Sequence, residues 1–427
     1  MRGKMPDECD HIEGGGIMKY VVLGASAAGL NGAETLRRAD PDAQIVLIST
    51  DTEIYSRCML HLFVSGHRNV QRLNFKPANF FEEFNIEWIK GVSATDLNPV
   101  KKEIYLSDGS AQSYDKLLIA TGASPGIPSI PGLAKANHVI GLRTLDDCRR
   151  IMDLAKTKKN AIVIGGGLIG ADILVGLAKY NLNVSLVEMS NRILPLQLDL
   201  RTAGVYQDQF TKQGVKQYYN TGVKQVNLDA QNNPVSVELS TGETLDADFI
   251  IIAAGVSPNT QFLANTDLRM ERNALLINEY NQTSDPDVYA AGDVTAGMPA
   301  IWSAAVKEAV NAGYNMAGKR TQMLDFFGHK STMNFFNIPT MSLGEYATTE
   351  NGDFNIDIQD DGVNYKKIVH KDGKIYGAII QGDLSYSGIL TQLIKEKIDV
   401  SRLKKPIFDL SYADFFNIKK NFEFSFK

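Results

Sequence analysis

Two glycine-rich turns in this chain have the residue types and spacing to hold a phosphate group. The first follows the apolar run 19–24 and the second follows 161–164. In such a turn the first glycine allows the bend, the second lets a pyrophosphate reach backbone N–H groups, and the third lets the next helix approach its strand. The pattern residues are Gly24, Ser26, Ala28 and Gly29 in the first copy, and Gly165, Gly167, Leu168, Ile169 and Gly170 in the second.

The residues that end the following strand of each copy predict how a ribose is bound. In the second copy this residue is Glu188. A carboxylate there accepts hydrogen bonds from a ribose 2′-OH and repels a 2′-phosphate, which favours NADH over NADPH. In the first copy the middle glycine is replaced by Ser26 and the strand ends in Ser49-Thr50-Asp51, so Ser49 is only a candidate for the ribose contact.

Each copy closes with a similar strand and turn, which makes the two copies a repeat. The segment 114–125, with Thr121 and Gly122 in its turn, parallels 247–258, with Gly255 in its turn. One glycine-rich turn is weak evidence, because such turns also occur without a ligand. Two copies with matching closing strands predict two Rossmann-like α/β domains and two bound dinucleotides.

Cysteine is the other residue type with redox chemistry, and this chain has three: Cys9, Cys58 and Cys148. They are widely spaced, with no CxxC or Cys/His cluster, so no metal site is expected. Cys58 follows Arg57 and is predicted to begin a short helix, where positive charge and the helix dipole favour a thiolate. It is either a redox thiol or an inert buried cysteine. His61 could assist it or simply pack, and Cys148 is predicted to be structural.

The composition excludes several classes of protein. A chain of 427 residues with 44% hydrophobic and 22% charged residues is a multidomain globular protein. Its net charge of -5 argues against a nucleic-acid partner. The most apolar window, 161–178, contains five glycines and Asp172, which argues against a membrane span. Residues 1–17 lack the apolar region of a secretory signal, so we expect a disordered or non-native leader and a cytoplasmic protein.

Residues 281–294 (NQTSDPDVYAAGDV), which contain Gly292 and Asp293, resemble the second flavin-binding signature of the FAD-dependent pyridine nucleotide–disulfide oxidoreductase family. The turns at Thr121 and Gly255 resemble the connecting motifs of that family. This resemblance implies that the first copy holds FAD and the second holds NADH. It also implies that Asp293 bonds the ribityl and phosphate region of FAD.

The resemblance implies roles for three more residues. Asp172 occupies the place of a family glutamate near the nicotinamide and flavin, so Asp172 and Cys58 are the candidate catalytic residues. Arg57 is implied in binding the FAD pyrophosphate or ribityl chain, with an ordinary surface ion pair as the alternative. Trp302 resembles a residue at the flavin rim, where we expect packing more than chemistry.

The segment 54–61, which decides the electron acceptor in this family, is similar to two branches. It lacks the CxxxxC pattern of glutathione and lipoamide reductases. Tyr55-Ser56-Arg57 and Met59-Leu60 resemble rubredoxin reductases and the flavin module of NADH-dependent nitrite reductases, whereas Cys58 resembles the redox cysteine of coenzyme A disulfide reductases and NADH oxidases. The implied function is electron transfer from NADH through FAD to a small redox protein such as rubredoxin.

Two alternatives remain at this point. One is reduction of a low-molecular-weight disulfide or of dioxygen through Cys58. The other, of a different class, is an NADH-sensing flavoprotein or an electron-entry subunit that acts mainly by binding a partner. A homodimer or a subunit of an electron-transfer complex is expected in either case.

The predicted fold class is α/β, with an NADH domain inserted in an FAD domain and a C-terminal α+β domain. The predicted boundaries are 1–17 for the leader, 18–123 and 256–325 for the FAD domain, 124–255 for the NADH domain and 326–427 for the C-terminal interface or dimerisation domain.

Overall fold

The computed structural model describes residues 16–323, 330–346, 353–418, 420 and 424–426. They form two compact units, each assembled from several stretches of the chain. The first unit contains residues 16–56, 74–123 and 258–323, and the second contains 57–73, 124–257 and the described residues from 330 onward. Of the predicted leader, residues 1–15 lie outside the described part, and the four domain boundaries stay a prediction.

The helices and strands follow the chain in this order. Residues 16–125 contain β1 (Lys19–Leu23), α1 (Ala27–Ala39), β2 (Gln44–Ser49), α2 (Leu60–Val64), α3 (Phe80–Glu83), β3 (Ile86–Lys90), β4 (Ala94–Asn98), β5 (Glu103–Leu106), β6 (Ala111–Ser113), β7 (Lys116–Ile119) and β8 (Ala123–Pro125). Residues 126–258 contain β9 (Val139–Gly141), α4 (Leu145–Thr157), β10 (Asn160–Ile164), α5 (Leu168–Leu177), β11 (Asn183–Val187), α6 (Leu200–Lys212), β12 (Lys216–Tyr218), β13 (Val223–Leu228), β14 (Pro234–Leu239), β15 (Thr244–Asp246), β16 (Phe249–Ile252) and β17 (Val256–Pro258). The remainder contains β18 (Met270–Glu271), β19 (Ala274–Leu275), β20 (Val288–Ala290), α7 (Trp302–Met316), β21 (Lys330–Phe335), β22 (Ile338–Gly344), β23 (Asn355–Asp360), β24 (Tyr365–Lys371), β25 (Lys374–Gln381), α8 (Ser387–Lys395), β26 (Phe416–Ile418) and β27 (Phe424–Phe426).

A five-stranded parallel sheet forms the centre of the first unit, in the order β20-β7-β1-β2-β3. Strands β20, β7, β1 and β2 are largely buried apolar runs because both faces of the sheet are covered there, whereas the edge strand β3 is partly exposed. Helices α1 and α7 pack on each other, and their apolar side chains join one face of the sheet in a common core. The antiparallel meander β4-β5-β6 contributes to the core on the other face. Strand β20 returns beside β7, as an inserted domain requires.

The second unit repeats this plan with a parallel sheet in the order β12-β11-β10-β16-β9 and the meander β13-β14-β15. Helix α2, from the segment 57–73, packs against α4 and α5. The same unit contains an antiparallel sheet in the order β21-β22-β25-β24-β23, on which α8 packs. The predicted α/β class, with two Rossmann-like sheets and a C-terminal α+β region, is therefore confirmed.

Candidate functional site

The turn after β1 has the shape that a phosphate cradle requires. Gly24 has a φ of +114°, and a Cβ on it would lie 2.2 Å from the carbonyl oxygen of Ala120. A Cβ on Gly29 would lie 1.7 Å from the carbonyl oxygen of Gly24. Ser26 is the N-cap of α1, but its side chain makes no capping hydrogen bond. The N–H groups at this helix end are therefore left for another acceptor, which suits a pyrophosphate.

The turn that carries Asp293 lies against the same cradle. Gly292 has a φ of +83°, and a Cβ on it would lie 3.2 Å from the Cβ of Ala28 and 3.4 Å from that of Ala305. The first turn of α1 and the first turn of α7 therefore enclose Gly292. The structure thus brings the first glycine-rich turn together with Asp293, although the two are far apart in the sequence.

Glu308 holds this turn, and sequence reasoning missed it. Its Oε2 accepts a hydrogen bond of 2.6 Å from the Gly292 N–H, and the Thr295 hydroxyl also donates to the carboxyl. Burial raises the pKa of Glu308 to about 7. The available signal was an acidic residue on the alanine face of α7, where Ala305 and Ala309 are buried beside it.

Two other predicted contacts of the first unit have partners within the protein. The Ser49 hydroxyl donates to the carbonyl oxygen of Asp51 at 2.9 Å and accepts from Trp88 Nε1 at 3.0 Å, which leaves one lone pair for a ribose. The Thr121 hydroxyl donates to the carbonyl oxygen of Asn259 at 2.9 Å. This bond, and the one from the Asn259 N–H to the Gly122 carbonyl oxygen, hold the turn at Gly122 against Asn259 within the first unit.

Trp302 begins α7 and is partly buried in the core of the first unit. Its ring meets Phe75 edge-on, with 4.7 Å between the ring centroids. The position at the flavin rim that the resemblance implies for Trp302 stays a prediction.

In the second glycine-rich turn, the backbone geometry requires glycine at some positions of the motif but not at all of them. Gly165 has a φ of +104°, and a Cβ on it would lie 2.4 Å from the carbonyl oxygen of Ala253. A Cβ on Gly170 would lie 2.0 Å from the Gly165 carbonyl oxygen. Gly167, in contrast, has a φ of -73° and open space for a Cβ. The fold does not require glycine at position 167, so the space there suits a ligand.

Glu188 lies against this turn and is buried. Its Oε2 accepts from the Gly166 N–H at 2.6 Å, and its Oε1 accepts from the Ser190 N–H at 2.7 Å. Each carboxylate oxygen retains acceptor capacity, so Glu188 can still bind ribose hydroxyls. Helix α5 begins at Leu168 with no side-chain cap, and Ile169 is in its first turn. Both cradles therefore fit the dinucleotides that the sequence predicts.

Asp172, in the second turn of α5, faces a histidine. The distance from its Oδ1 to Nδ1 of His61 is 3.4 Å. This Nδ1 is buried and has no hydrogen-bond partner among the described residues, whereas a backbone bond joins the ring to Cys58. Burial raises the pKa of Asp172 to about 8 and lowers the pKa of His61 to about 4. At neutral pH the pair therefore holds one titratable proton, on the carboxyl group of Asp172, while His61 is neutral.

This shared proton predicts a pH-dependent stability. Between pH 4 and 6.5 folding makes His61 lose a proton and Asp172 take one up, so the two effects cancel. Between pH 6.5 and 8 only Asp172 differs, because it is protonated in the folded state and ionised in the unfolded state. The free energy of unfolding should then fall by about 2 kcal/mol as pH rises through this window.

Denaturant unfolding at several pH values tests this, with Asp172→Asn as the variant and the exposed Asp208→Asn as the control. The Asp172→Asn protein should lose the slope between pH 6.5 and 8, and the control should keep it. An equal slope in both variants would show that Asp172 is not the group responsible.

The other two predicted residues of the segment 57–73 lie in the short 3₁₀ helix Arg57–Met59. Cys58 is exposed there, and the Arg57 guanidinium donates to the carbonyl oxygen of Arg143 at 2.5 Å. The role of Arg57 toward FAD stays a prediction. Cys148 is buried in α4, and burial raises the pKa of its thiol to about 12, which agrees with a structural role.

Residues 18–309 match the family model described as pyridine nucleotide-disulphide oxidoreductase. The chain belongs to this family. Residues 330–398 match the rubredoxin NAD+ reductase C-terminal domain. This family member is accordingly an oxidoreductase that uses FAD and NAD(H), and the sequence prediction of both cofactors is confirmed. No helix among its described residues combines the length and apolar character needed to cross a bilayer.

Similar proteins include both branches that the segment 54–61 suggested. The chain is 29% identical to the NADH-dependent phenylglyoxylate dehydrogenase subunit epsilon of Aromatoleum evansii, over 90% of this chain and 93% of that protein. It is 26% identical to an NADH-rubredoxin oxidoreductase of Clostridium acetobutylicum, over 90% of this chain and 95% of that protein. It is 30% identical to an NADH oxidase of Methanocaldococcus jannaschii, over 70% of this chain and 70% of that protein. The predicted position between the two branches is confirmed.

The likeness extends to solved structures and to longer proteins. Reduced Bacillus anthracis CoADR-RHD matches with a TM-score of 0.82 and 25% identity, over 93% of this chain and 77% of that chain. The chain spans about half the length of two Bacillus subtilis relatives, an assimilatory nitrate reductase electron transfer subunit and a nitrite reductase.

Proposed function

We propose that this oxidoreductase passes electrons from NADH through FAD to a small redox protein of the rubredoxin type. In this proposal FAD occupies the cradle of the first unit and NADH that of the second. The C-terminal match to a rubredoxin NAD+ reductase domain and the likeness to an NADH-rubredoxin oxidoreductase support the choice of acceptor.

The observation that carries this choice is the environment of His61. A redox thiol at Cys58 would gain from a protonated imidazole nearby, because positive charge favours the thiolate. His61 instead faces Asp172, bonds the backbone of Cys58, and has a pKa lowered by burial to about 4. It adds no positive charge beside the thiol at neutral pH. An acceptor that takes single electrons does not require such a thiol.

The residues of the two cradles perform the binding steps. FAD, when bound, accepts two electrons from NADH as a hydride and can release them one at a time. The uncapped N-termini of α1 and α5 hold the two pyrophosphates, and Asp293 and Glu188 bind the adjoining hydroxyl groups. The Asp172–His61 pair keeps one proton at a buried position of the second unit. Trp302 stiffens the first unit by its contact with Phe75.

Replacing Cys58 with serine should leave rubredoxin reduction within about twofold of the native rate, because no step of the proposal uses the thiol. Stopped-flow measurement of flavin reduction by NADH, followed by steady-state rubredoxin reduction, tests this. Cys58→Pro serves as a second variant. Loss of rubredoxin reduction in Cys58→Ser, with FAD still bound, would show that the acceptor is wrong.

The second candidate function is reduction of a low-molecular-weight disulfide or of dioxygen, and the exposure of Cys58 favours it. Anaerobic and aerobic turnover with rubredoxin, coenzyme A disulfide and dioxygen side by side separates the two functions. If disulfide reduction is the function, Cys58→Ser should abolish it while NADH still reduces FAD.

The likeness to a dehydrogenase subunit supports a third role, in which the chain delivers electrons within a larger complex. Slow turnover with every soluble acceptor, together with co-purification of a stable partner, would favour it. A homodimer and a cytoplasmic location remain parts of the proposal, and analytical ultracentrifugation tests the first of them.

A further inference from the structure

We call residues 190–199 the linking segment. It begins two residues after Glu188 and ends where α6 begins, within the second unit. Ile193, Leu194 and Leu198 of this segment are fully buried. The Leu194 N–H donates to the carbonyl oxygen of Gly166 at 2.7 Å. Because Glu188 binds the N–H of the same Gly166, this residue of the glycine-rich turn is held on both sides.

Leu194 makes this contact in a strained conformation. Its φ is +52°, a left-handed conformation that costs a leucine about 1–2 kcal/mol. The N–H groups of Gln197 and Leu198 both donate to its carbonyl oxygen at 2.9 Å, which stabilises the bend. Strain of this kind persists only where the surroundings impose the geometry, so other contacts must hold the linking segment in place.

Two buried tyrosines of the C-terminal region supply those contacts: Tyr365 in β24, and Tyr346 just after the end of β22. The Tyr346 hydroxyl donates to the carbonyl oxygen of Leu196. The Tyr365 hydroxyl donates to Oδ2 of Asp199 at 2.8 Å, while Oδ1 of the same carboxylate caps α6 through the Thr202 N–H. Burial is the main reason that the pKa of both tyrosines is raised, so both hydroxyls remain donors across the physiological range.

We propose that Tyr346 and Tyr365 are positioning residues for the dinucleotide, which act through the linking segment on the turn at Gly166. Hydrogen bonds, joined by short stretches of backbone, connect the two tyrosines through the linking segment to the turn at Gly166. The C-terminal region would then set the affinity for NADH in addition to any role with a partner. This inference rests on the proposed assignment of residues 165–170 to NADH.

The chain offers a matched control. Tyr206, on α6, is also fully buried, and its hydroxyl donates to the Ile338 carbonyl oxygen of the same C-terminal sheet (2.6 Å) and lies 2.7 Å from the Thr340 hydroxyl oxygen. Tyr206 lies outside the linking segment. Tyr206→Phe therefore removes a comparable bond to the C-terminal sheet without loosening the segment.

Isothermal titration calorimetry with ADP-ribose, a fragment that cannot reduce FAD, measures the effect on the complete FAD-loaded protein. Tyr346→Phe and Tyr365→Phe should each raise the Kd about three- to tenfold, since one buried hydrogen bond of about 1 kcal/mol is lost. Tyr206→Phe should lower the melting temperature similarly and leave the Kd within about twofold. FAD content and melting temperature are recorded for each variant.

An equal Kd change in Tyr206→Phe, or no change in the two linking-segment variants, would overturn the inference. Should Tyr365→Phe fold poorly, Tyr346→Phe alone decides, because it removes only the bond to Leu196. Gly167→Val is the reference for the site itself. If the native protein does not bind ADP-ribose, or if Gly167→Val binds it as well as the native protein does, the NADH assignment has failed and not the coupling.

Discussion

Alanine at Gly165 should destabilise the second unit, whereas alanine at Gly167 should leave its stability nearly unchanged and yet weaken NADH binding. The first change places a Cβ 2.4 Å from a backbone oxygen at a φ of +104°, which should lower the free energy of unfolding by about 3 kcal/mol or more. The second occurs at a φ of -73° with open space. There alanine reduces the entropy of the unfolded chain, but it is a poorer N-cap for α5 than glycine, so the free energy of unfolding should change by less than about 1 kcal/mol.

The loss of binding at Gly167 has a different origin from the loss of stability at Gly165. A methyl group on Gly167 occupies the space in which a pyrophosphate would approach the N-terminus of α5. We expect the Kd for NADH to rise about tenfold in Gly167→Ala and further in Gly167→Val, as increasing side-chain size requires. Gly167→Ser should lose the least affinity of the three variants, since the first copy has Ser26 at the equivalent position.

Thermal denaturation and calorimetric titration of the same preparations measure both effects. Gly204→Ala, in α6, is the control: its added Cβ also meets open space, so stability should rise without a change in NADH affinity. Unchanged affinity in Gly167→Val would falsify the placement of the dinucleotide at this turn.

The pair of changes Glu188→Ala and Met189→Arg should shift the preference between NADH and NADPH by on the order of 100-fold. Glu188 supplies the carboxylate that repels a 2′-phosphate, and Met189 beside it is 80% exposed, so an arginine there can reach the ligand. The ratio of kcat/KM for the two nucleotides is the measurement.

Met189→Arg alone is the informative comparison, because the retained Glu188 would pair with the new guanidinium and limit the shift. The double variant also loses the acceptors of the Gly166 and Ser190 N–H groups, so its stability should fall by about 1–3 kcal/mol. A ratio that stays at the native value in the double variant means that another group selects the nucleotide.

Local patterns predicted much of the fold. The run 19–24 is β1 with one extra residue, and the run 161–164 lies within β10. These elements could be predicted because continuous apolar runs and glycine turns are local signals in the sequence. The repeat of the whole pattern predicted the two parallel sheets.

The contacts between residues that are distant in the sequence could not be predicted from such local patterns. The pairing of His61 with Asp172 depends on α2 packing against α5, and no periodicity in either helix encodes that meeting. The bond from Tyr346 to Leu196 spans the Rossmann and C-terminal parts of the second unit. The strained φ of Leu194 likewise arises from its surroundings, because leucine has no local preference for it.

The first unit is assembled from separate stretches of the chain, so its parts are synthesised at different times. During synthesis β1, β2 and β7 leave the ribosome well before β20 and α7, which complete their sheet and cover α1. The parallel sheet of the second unit, which ends at β16, is complete earlier. Domains can fold while the rest of the chain is still being synthesised, and distant pairings form late. The nascent chain can therefore form the glycine-rich turn of the second unit, where we propose that NADH binds, before Gly292 and Asp293 have emerged to complete the cradle that we propose for FAD.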